Sequence, residues 1–410
     1  MDSVQLMNRT DTKFVFELEL LGKVLNEIRE YYYVLDINNK RMSAYRSLYY
    51  DTNDFEFYFE HHNGKTNRNK VRYREYIDSG LCFLEIKHKT NKGKISNKIT
   101  NNNLLYQKDI KKKFVLIKVL YSNINYKDSL MFKNAGGLIK RFPHIPGIDA
   151  SGVVYFSNSK KFKINDEVFV IAKPLGVESN GSFSEFISVP EQWVNKLPKY
   201  LNPKEAMMMG TSGFTAVKAV NKTLKIILKN KTKPVLVTGA TGNVGMFIIF
   251  LLKSYGVNIE VVSLKKNNNE ILKNKSITKI HSPNKFFNTH NFALLNEKYS
   301  VIFDNLGGEI IPGCLKYLIK GGVLVSIGNI LNNMSLINIL PLILRETNII
   351  GINAEYTNFN ERKNIIHKFD SSNLKKNLLK VSKIINLKDV SKILKSKKYN
   401  KKSYRFIIKI

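Results

Sequence analysis

The stretch "PVLVTGATGNVGMFIIFLLKSYG" constrains this chain more than any other. A short β-rich run, "VLV", leads into a glycine-bearing loop, and an apolar segment of helical length follows, closed by a glycine. Between them lies Ala240-x-Gly242-x-x-Gly245, with Thr241, Asn243 and Val244 in the intervening places. The spacing has a mechanical basis. Gly242, lacking a side chain, lets the backbone approach a pyrophosphate, which then rests on the amides of the helix N-terminus. Gly245 lets that helix pack closely on the strand. An ordinary strand–turn–helix is the competing reading, and the sequence downstream argues against it. "VNIEVVS", "SVIFDNLGG" and "GGVLVSIGN" continue a repeating βα pattern. That pattern predicts an α/β fold with a doubly wound parallel sheet and a dinucleotide site.

The end of the second strand selects the dinucleotide. An NAD site usually places an acid there for the ribose 2′-hydroxyl. This chain has "VVSLKK", which puts Ser263, Lys265 and Lys266 at that place. A hydroxyl and two ammonium groups suit a 2′-phosphate, so NADPH is the expected cofactor. Glu260 is the nearby acid, and on an alternating strand it falls three residues too early.

The chain has 410 residues, 43% of them hydrophobic, enough for two or three domains with cores of their own. Its net charge of +33 raises the question of a nucleic-acid partner. The lysines are dispersed, often beside asparagine as in "KKNNNEILKNK", and no basic block falls in a groove-reading motif. A specific nucleic-acid partner is not expected. Two cysteines, Cys82 and Cys314, cannot build a disulfide framework or a four-ligand zinc site, which fits a reduced, cytoplasmic setting. The start "MDSVQLMNRTDTKF" lacks an apolar signal core, and "MFIIFLL" and "LINILPLIL" fall short of the ~20 residues of a membrane helix.

Around the glycine loop, an ordered series of motifs runs from about Lys113 to Ile410: "YSNINYKDSL", "RFPHIPGIDASG", "NDEVFV", "GSFSEF", "MMMGTSGFTA", "VTGATGNVG", "FDNLGG", "GGVLVSIGN" and "LPLILRETNIIGIN". In these the chain resembles the medium-chain dehydrogenase/reductase superfamily, and within it the zinc-independent quinone oxidoreductases and acryloyl-CoA reductases. The resemblance implies a GroES-like, β-rich substrate domain interrupted by a Rossmann domain and closed by the C-terminal "YRFIIKI". The expected division is 108–202 for the substrate domain, 203–353 for the Rossmann domain and 354–410 for the return. "GIDASG" stands where zinc-dependent relatives carry a Gly-His-Glu run, so a metal-free reaction is implied. Hydride from NADPH would go to an activated double bond in an enoyl thioester such as acryloyl-CoA, or in a quinone.

By the same resemblance, Asn125, Tyr126 and Asp128 of "NYKD" face the reaction. Tyr126 is the candidate proton donor, being protonated at neutral pH; packing against the nicotinamide ring, with Asp128 paired to a nearby base, is the competing role. Thr211 and Thr215 would touch the cofactor, as would the backbone at Gly328 and Asn329. Arg141 would meet a substrate phosphate or carboxylate, or else lie solvated. Gly181-Ser182 replaces a glycine pair of the relatives, and its added side chain is expected to narrow the cleft. Relatives of this kind are often dimers, which makes a homodimer one expectation.

Residues 1–107 carry another pattern. In "KVRYREY", Lys70, Arg72 and Arg74 alternate with Val71, Tyr73 and Glu75; in "FLEIKHK", Glu85, Lys87 and Lys89 lie two apart. On strands, each set shares one face. With Arg9, Lys13, Arg46 and Lys65, this segment resembles the N-terminal half of VTC domains, polyphosphate-polymerising members of the triphosphate tunnel metalloenzymes. It implies a partial α+β antiparallel half-barrel, with polyphosphate as a possible ligand of Arg9, Lys13, Arg46, Lys65, Arg72, Arg74 and Lys87. Glu17 and Glu19 of "FELEL" fit a helix start, where acids oppose the dipole, and His61, His62 and His88 show no metal-ligand spacing. The Asn-rich "TNNNLLYQKDIKKKF" replaces the later tunnel strands and the first strands of the substrate barrel. It reads as a seam between two truncated partners, from a natural fusion or a chimeric reading frame, and a third reading is that neither site is active.

Overall fold

The computed structural model describes residues 17–33, 44–51, 55–66, 68–77, 81–89, 105–106, 113–133, 137–139, 144–264, 271–273, 275–287, 292–395 and 404–410. The chain forms two compact units, Met1–Asp109 and Ile110–Ile410. In the first, a 3-10 turn at Leu18–Leu20 leads into helix α1 (Leu21–Ile28), with Glu17 at the N-cap of the turn and Glu19 within it. Strands β1 (Tyr45–Tyr50), β2 (Arg68–Tyr76), β3 (Leu81–Lys89) and β4 (Leu105–Tyr106) form an antiparallel sheet in chain order, with α2 (Glu56–His62) between β1 and β2 in sequence. The register sets Tyr49 opposite Arg72 and Ser47 opposite Arg74. Among the described side chains of this unit, Arg72 alone is buried, while Leu48, Tyr58 and Phe59 stay more than half exposed.

The second unit opens with β5 (Phe114–Asn123), helix α3 (Tyr126–Phe132), β6 (Ala150–Ser157), β7 (Glu167–Val170), β8 (Phe186–Pro190) and β9 (Asn195–Lys196). Helix α4 (Pro203–Lys229) follows, broken at Gly210, where φ is 53° and ψ is −165°. Then come β10 (Val235–Thr238), α5 (Asn243–Ser254), β11 (Ile259–Val262), β12 (Ile277–His281), β13 (Tyr299–Asp304), β14 (Leu318–Ser326) and β15 (Asn348–Gly351). These six strands make one sheet in the order β12-β11-β10-β13-β14-β15, every pair parallel. Order reverses on either side of β10, so the loops leaving β10 and β13 diverge and open a crevice.

The sequence accounts for this sheet. Val235, Leu236 and Val237 of β10 and Val301, Ile302 and Phe303 of β13 are fully buried, as continuous apolar runs in a sheet covered on both faces must be. Helix α5 adds Phe247, Ile248, Ile249 and Leu252, each worth ~2 kcal/mol of burial. It stops at Gly256, whose φ of 64° suits glycine.

The remaining strands, β16 (Ser382–Asn386) and β17 (Arg405–Lys409), join β5, β6, β7 and β9 in a seven-stranded mixed sheet, with β8 pairing β5. "YRFIIKI" is thus β17, parallel to β16 and antiparallel to β5. Helix α6 (Phe359–His367) follows the Rossmann-like sheet and sends buried Arg362 to the carbonyls of Ile171 and Ala172 beyond β7.

Candidate active site

At the crevice, Gly239 turns with φ 58° and its carbonyl accepts the Gly242 amide at 2.9 Å. A Cβ on Gly245 would stand 2.5 Å from the Gly239 oxygen and 2.9 Å from the Ala240 Cα, so α5 packs as closely as the loop permits. A Cβ on Gly242 would meet only the Gly239 oxygen, at 3.2 Å, and no side chain caps α5. Ala240, Thr241, Asn243 and Val244 complete this turn and helix start. The other lip is fixed by Asp304, whose carboxylate accepts the Thr238 hydroxyl (2.6 Å) and the amides of Leu306 and Gly307. Burial pushes its carboxyl up. Asn305 donates both its backbone and side-chain N–H to Thr238, and its Oδ1 is buried with no hydrogen-bond partner. A Cβ on Gly328 would stand 2.3 Å from the Asn305 carbonyl, and the Asn329 side chain donates to Asn333.

Two features of this crevice fit a dinucleotide: a helix start that a Cβ at Gly242 would obstruct, and an orphaned amide oxygen at the switch point. At the end of β11 the Ser263 amide donates to the His281 carbonyl; Lys265 and Lys266 lie outside the described residues. Glu260 is turned inward. Its Oε2 meets His281 Nε2 at 2.5 Å and accepts Lys298 Nζ and the Tyr299 hydroxyl, both at 2.7 Å. Burial opposes its charge, yet these bonds together hold its carboxyl below the ordinary value.

Facing the crevice from the substrate side, α3 begins beside β5. Asn125 is its N-cap, and the Asn125 amide donates to Asp128 at 2.7 Å. The other Asp128 oxygen accepts the amides of Gly147 and Ile148, each at 3.1 Å. Asn125 and Asp128 are therefore buried and bonded, whereas Tyr126 is 45% exposed at the first position of the helix. Thr211 donates its hydroxyl to Asp149 and accepts the Ala172 amide, and Thr215 donates to the Thr211 carbonyl. Ser182, fully buried, donates to the Asp149 carbonyl at 2.5 Å and contacts Ser122. Arg141 lies outside the described residues.

Burial, more than the neighbouring charge of Asp149, pushes Asp128 up to about 7. Its ordinary value is 3.8, so between about pH 4 and pH 7 the folded chain binds more protons than the unfolded chain. Stability should fall as pH rises through that window, by up to about 4 kcal/mol. Thermal denaturation at several pH values tests this; an Asp128→Ala variant with the same slope as wild type would refute it.

Sequence reasoning missed four residues of this network: Asn123, Asp149, Ser212 and Arg405. "GIDASG" drew notice only for the zinc ligands absent from it, although a buried acid in that run was a signal in itself. Among the described residues, no three His, Cys, Asp or Glu side chains group so as to hold a metal ion. Nor is any helix among them long and apolar enough to cross a membrane.

In the first unit, Arg72 Nη1 donates to the Tyr49 hydroxyl at 3.4 Å, Arg74 donates to Ser47 and lies 4.2 Å from the Tyr45 ring centre, and Lys70 lies 4.6 Å from that of Tyr49. The hydrogen bond from Arg72 lowers the Tyr49 phenol. Arg46 is on β1, Lys87 on β3, and exposed Lys65 pairs with Glu60 at 2.6 Å. Arg9 and Lys13 lie outside the described residues.

Residues 8–126 match the VTC domain family, residues 111–199 the alcohol dehydrogenase GroES-like domain, and residues 243–371 the zinc-binding dehydrogenase family. The chain is 33% identical over 304 residues to the putative quinone oxidoreductase YhfP of Bacillus subtilis, covering 74% of this chain and 92% of that protein. The crystal structure of YhfP with NAD bound superposes with a TM-score of 0.67 at 28% identity, over 83% of this chain and 99% of that one. Acrylyl-CoA reductase AcuI of Ruegeria pomeroyi is 31% identical over 240 residues, 58% of this chain and 73% of AcuI. The yhdH oxidoreductase of Salmonella enterica, in complex with NADP, has a TM-score of 0.68 at 25% identity, over 81% of this chain and 97% of that one.

Proposed function

The chain belongs to the medium-chain dehydrogenase/reductase superfamily, with a VTC domain match at its N-terminus, and from that premise we propose that it is an NADPH-dependent, zinc-independent reductase of activated double bonds. The observation that carries the reading is the uncapped start of α5 at the switch point, linked to the substrate side by the Asn243 side chain, which donates to the Ile124 carbonyl at 3.4 Å. Bound NADPH would supply the hydride. Gly242 and Gly245 admit its pyrophosphate to the helix start, and Ser263 with Lys265 favours the 2′-phosphate. Relatives support both choices of cofactor, since yhdH is solved with NADP and YhfP with NAD. Tyr126, whose phenol is exposed, delivers a proton to the α-carbon of the enolate that hydride addition at the β-carbon leaves. Asn125 and Asp128 fix its helix. The substrates favoured are acryloyl-CoA or another enoyl thioester, then a quinone, in keeping with the names of AcuI and YhfP.

Titration of the full-length protein with NADPH and with NADH, followed by nicotinamide fluorescence, tests the reading; turnover of acryloyl-CoA and of a benzoquinone follows. NADPH binding at least tenfold tighter than NADH is expected. Equal or absent binding of both would remove the basis for the cofactor assignment.

A second reading concerns the first unit. The cationic row Lys70, Arg72 and Arg74 on β2 supports polyphosphate binding. Arg72→Ala with Arg74→Ala should abolish polyphosphate retention that weakens as salt rises from ~0.05 to ~0.5 M, over which the Debye length shrinks about threefold. Retention unchanged in the double variant would end this reading.

A further inference from the structure

Three helix starts meet around one loop. Helix α3 begins at Tyr126, the second half of α4 begins at Thr211 after the break at Gly210, and α5 begins at Asn243. The carboxylate of Asp149, fully buried, joins the first two. It accepts the Thr211 amide at 2.8 Å, the Thr211 hydroxyl, and the side-chain amides of Asn123 and Asn125, each at 3.0 Å. Asn125 in turn accepts Ser212 Oγ at 3.0 Å. Asp149 thus caps the second half of α4 from another element and binds the residue that caps α3. The third start, α5, tied to Ile124 through Asn243, is left open for the cofactor.

The break that makes this possible is held at its other end by Arg405. Its guanidinium donates to the carbonyls of Met207 and Met209, which close the first half of α4. Arg405 Nη2 and Asp149 Oδ2 lie 2.3 and 2.6 Å from the point where a Cβ on Gly210 would stand. A cation at the end of one half-helix and an anion at the start of the next each oppose the local dipole.

We propose that Asp149 is a positioning residue of the reductase site: acting through Thr211 and Asn125, it fixes where Thr211 and Tyr126 stand relative to the nicotinamide end of the cofactor. The inference rests on the reductase reading above. It distinguishes two tasks. The glycine loop and α5 bind the phosphates, whereas Asp149 sets the geometry of the reacting end. Asp149 also places a negative charge between helix starts that attract an anionic cofactor. Removing that charge should leave NADPH affinity unchanged or raised, while the misplaced groups slow hydride transfer.

The test compares wild type with Asp149→Asn, which keeps the shape but turns an N–H₂ toward donors, and with Thr211→Val, which removes the hydroxyl bonded to Asp149 and to the Ala172 amide while the Thr211 backbone bond to Asp149 stays. NADPH Kd by fluorescence, kcat and KM, the primary isotope effect with 4-deuterated NADPH, and the Tm of the cofactor-free protein are measured for each. For Asp149→Asn, kcat is expected to fall about 100-fold, with Kd within threefold of wild type or tighter and a raised isotope effect. Thr211→Val should show the same split at about tenfold. Should Asp149→Asn fail to fold, Thr211→Val carries the test. Unchanged kcat in the folded variants, or a fall in kcat matched by the loss of NADPH affinity, overturns the positioning role alone. Wild-type protein that turns over neither substrate class overturns the reductase reading and this inference with it.

Discussion

Gly242→Val is expected to weaken NADPH binding by at least about 100-fold, some 3 kcal/mol, while the cofactor-free protein keeps its fold. The two halves of this expectation have separate grounds. At Gly242 the backbone is extended, with φ −78° and ψ 165°, so any residue adopts it. An added Cβ meets a single atom, the Gly239 oxygen at 3.2 Å, and a small shift relieves it. The remaining methyl groups then occupy the space where a pyrophosphate would approach the amides of α5. Gly245→Val differs. Its Cβ would press on loop backbone at 2.5 and 2.9 Å, and the helix would have to move off β10, at a cost of about 1–3 kcal/mol in stability. Fluorescence titration alongside thermal melts separates the two variants. NADPH bound at wild-type strength by Gly242→Val would mean that the cofactor's phosphates do not sit on this helix.

Arg405→Leu should lower the Tm by roughly 6–12 °C, the equivalent of about 3 kcal/mol. The side chain is fully buried and donates to two carbonyls of a broken helix. Met207 keeps one donor, the Asn123 side chain, but Met209 loses the one that Arg405 gives it. Leucine matches the apolar stem and supplies no donor, so a carbonyl in the interior loses the bond that Arg405 gives it. Asp149, close by across Gly210, also loses a neighbouring cation. Arg405→Lys should recover part of the loss, since an ammonium keeps the charge without the planar fork that reaches two carbonyls. Circular dichroism melts decide it; a leucine variant as stable as wild type would show that the break does not depend on this cap.

What could be read in advance followed the range of the interactions. The loop from Gly239 to Gly245 was legible because its constraints are local: a tight turn, a close helix and a free approach, all within a few residues. The parallel sheet was legible for the same reason, since runs such as "VLV" and "SVIFD" announce strands buried on both faces. "MMMGTSGFTA" was not legible as a break. Its apolar pattern suits one continuous helix, yet Gly210 interrupts it because Asp149 and Arg405 satisfy the two new ends. In the first unit, the alternation in "KVRYREY" placed Lys70, Arg72 and Arg74 on one face. It did not show that Ser47 and Tyr49 would stand opposite Arg74 and Arg72, because strand register depends on the partner strand.

The amino-acid sequence by itself determined the α/β character of the larger unit, the glycine loop between β10 and α5 and the two different parts of the chain. Only the tertiary structure decided which polar groups hold the site together. Asp149 and Thr211 are 62 residues apart and Arg405 and Met207 are 198 apart, and each pair meets only in the folded unit. A turn or a strand is set by neighbours along the chain. A buried charge is stable only where the fold brings its partners, and nothing near it in sequence says what they are.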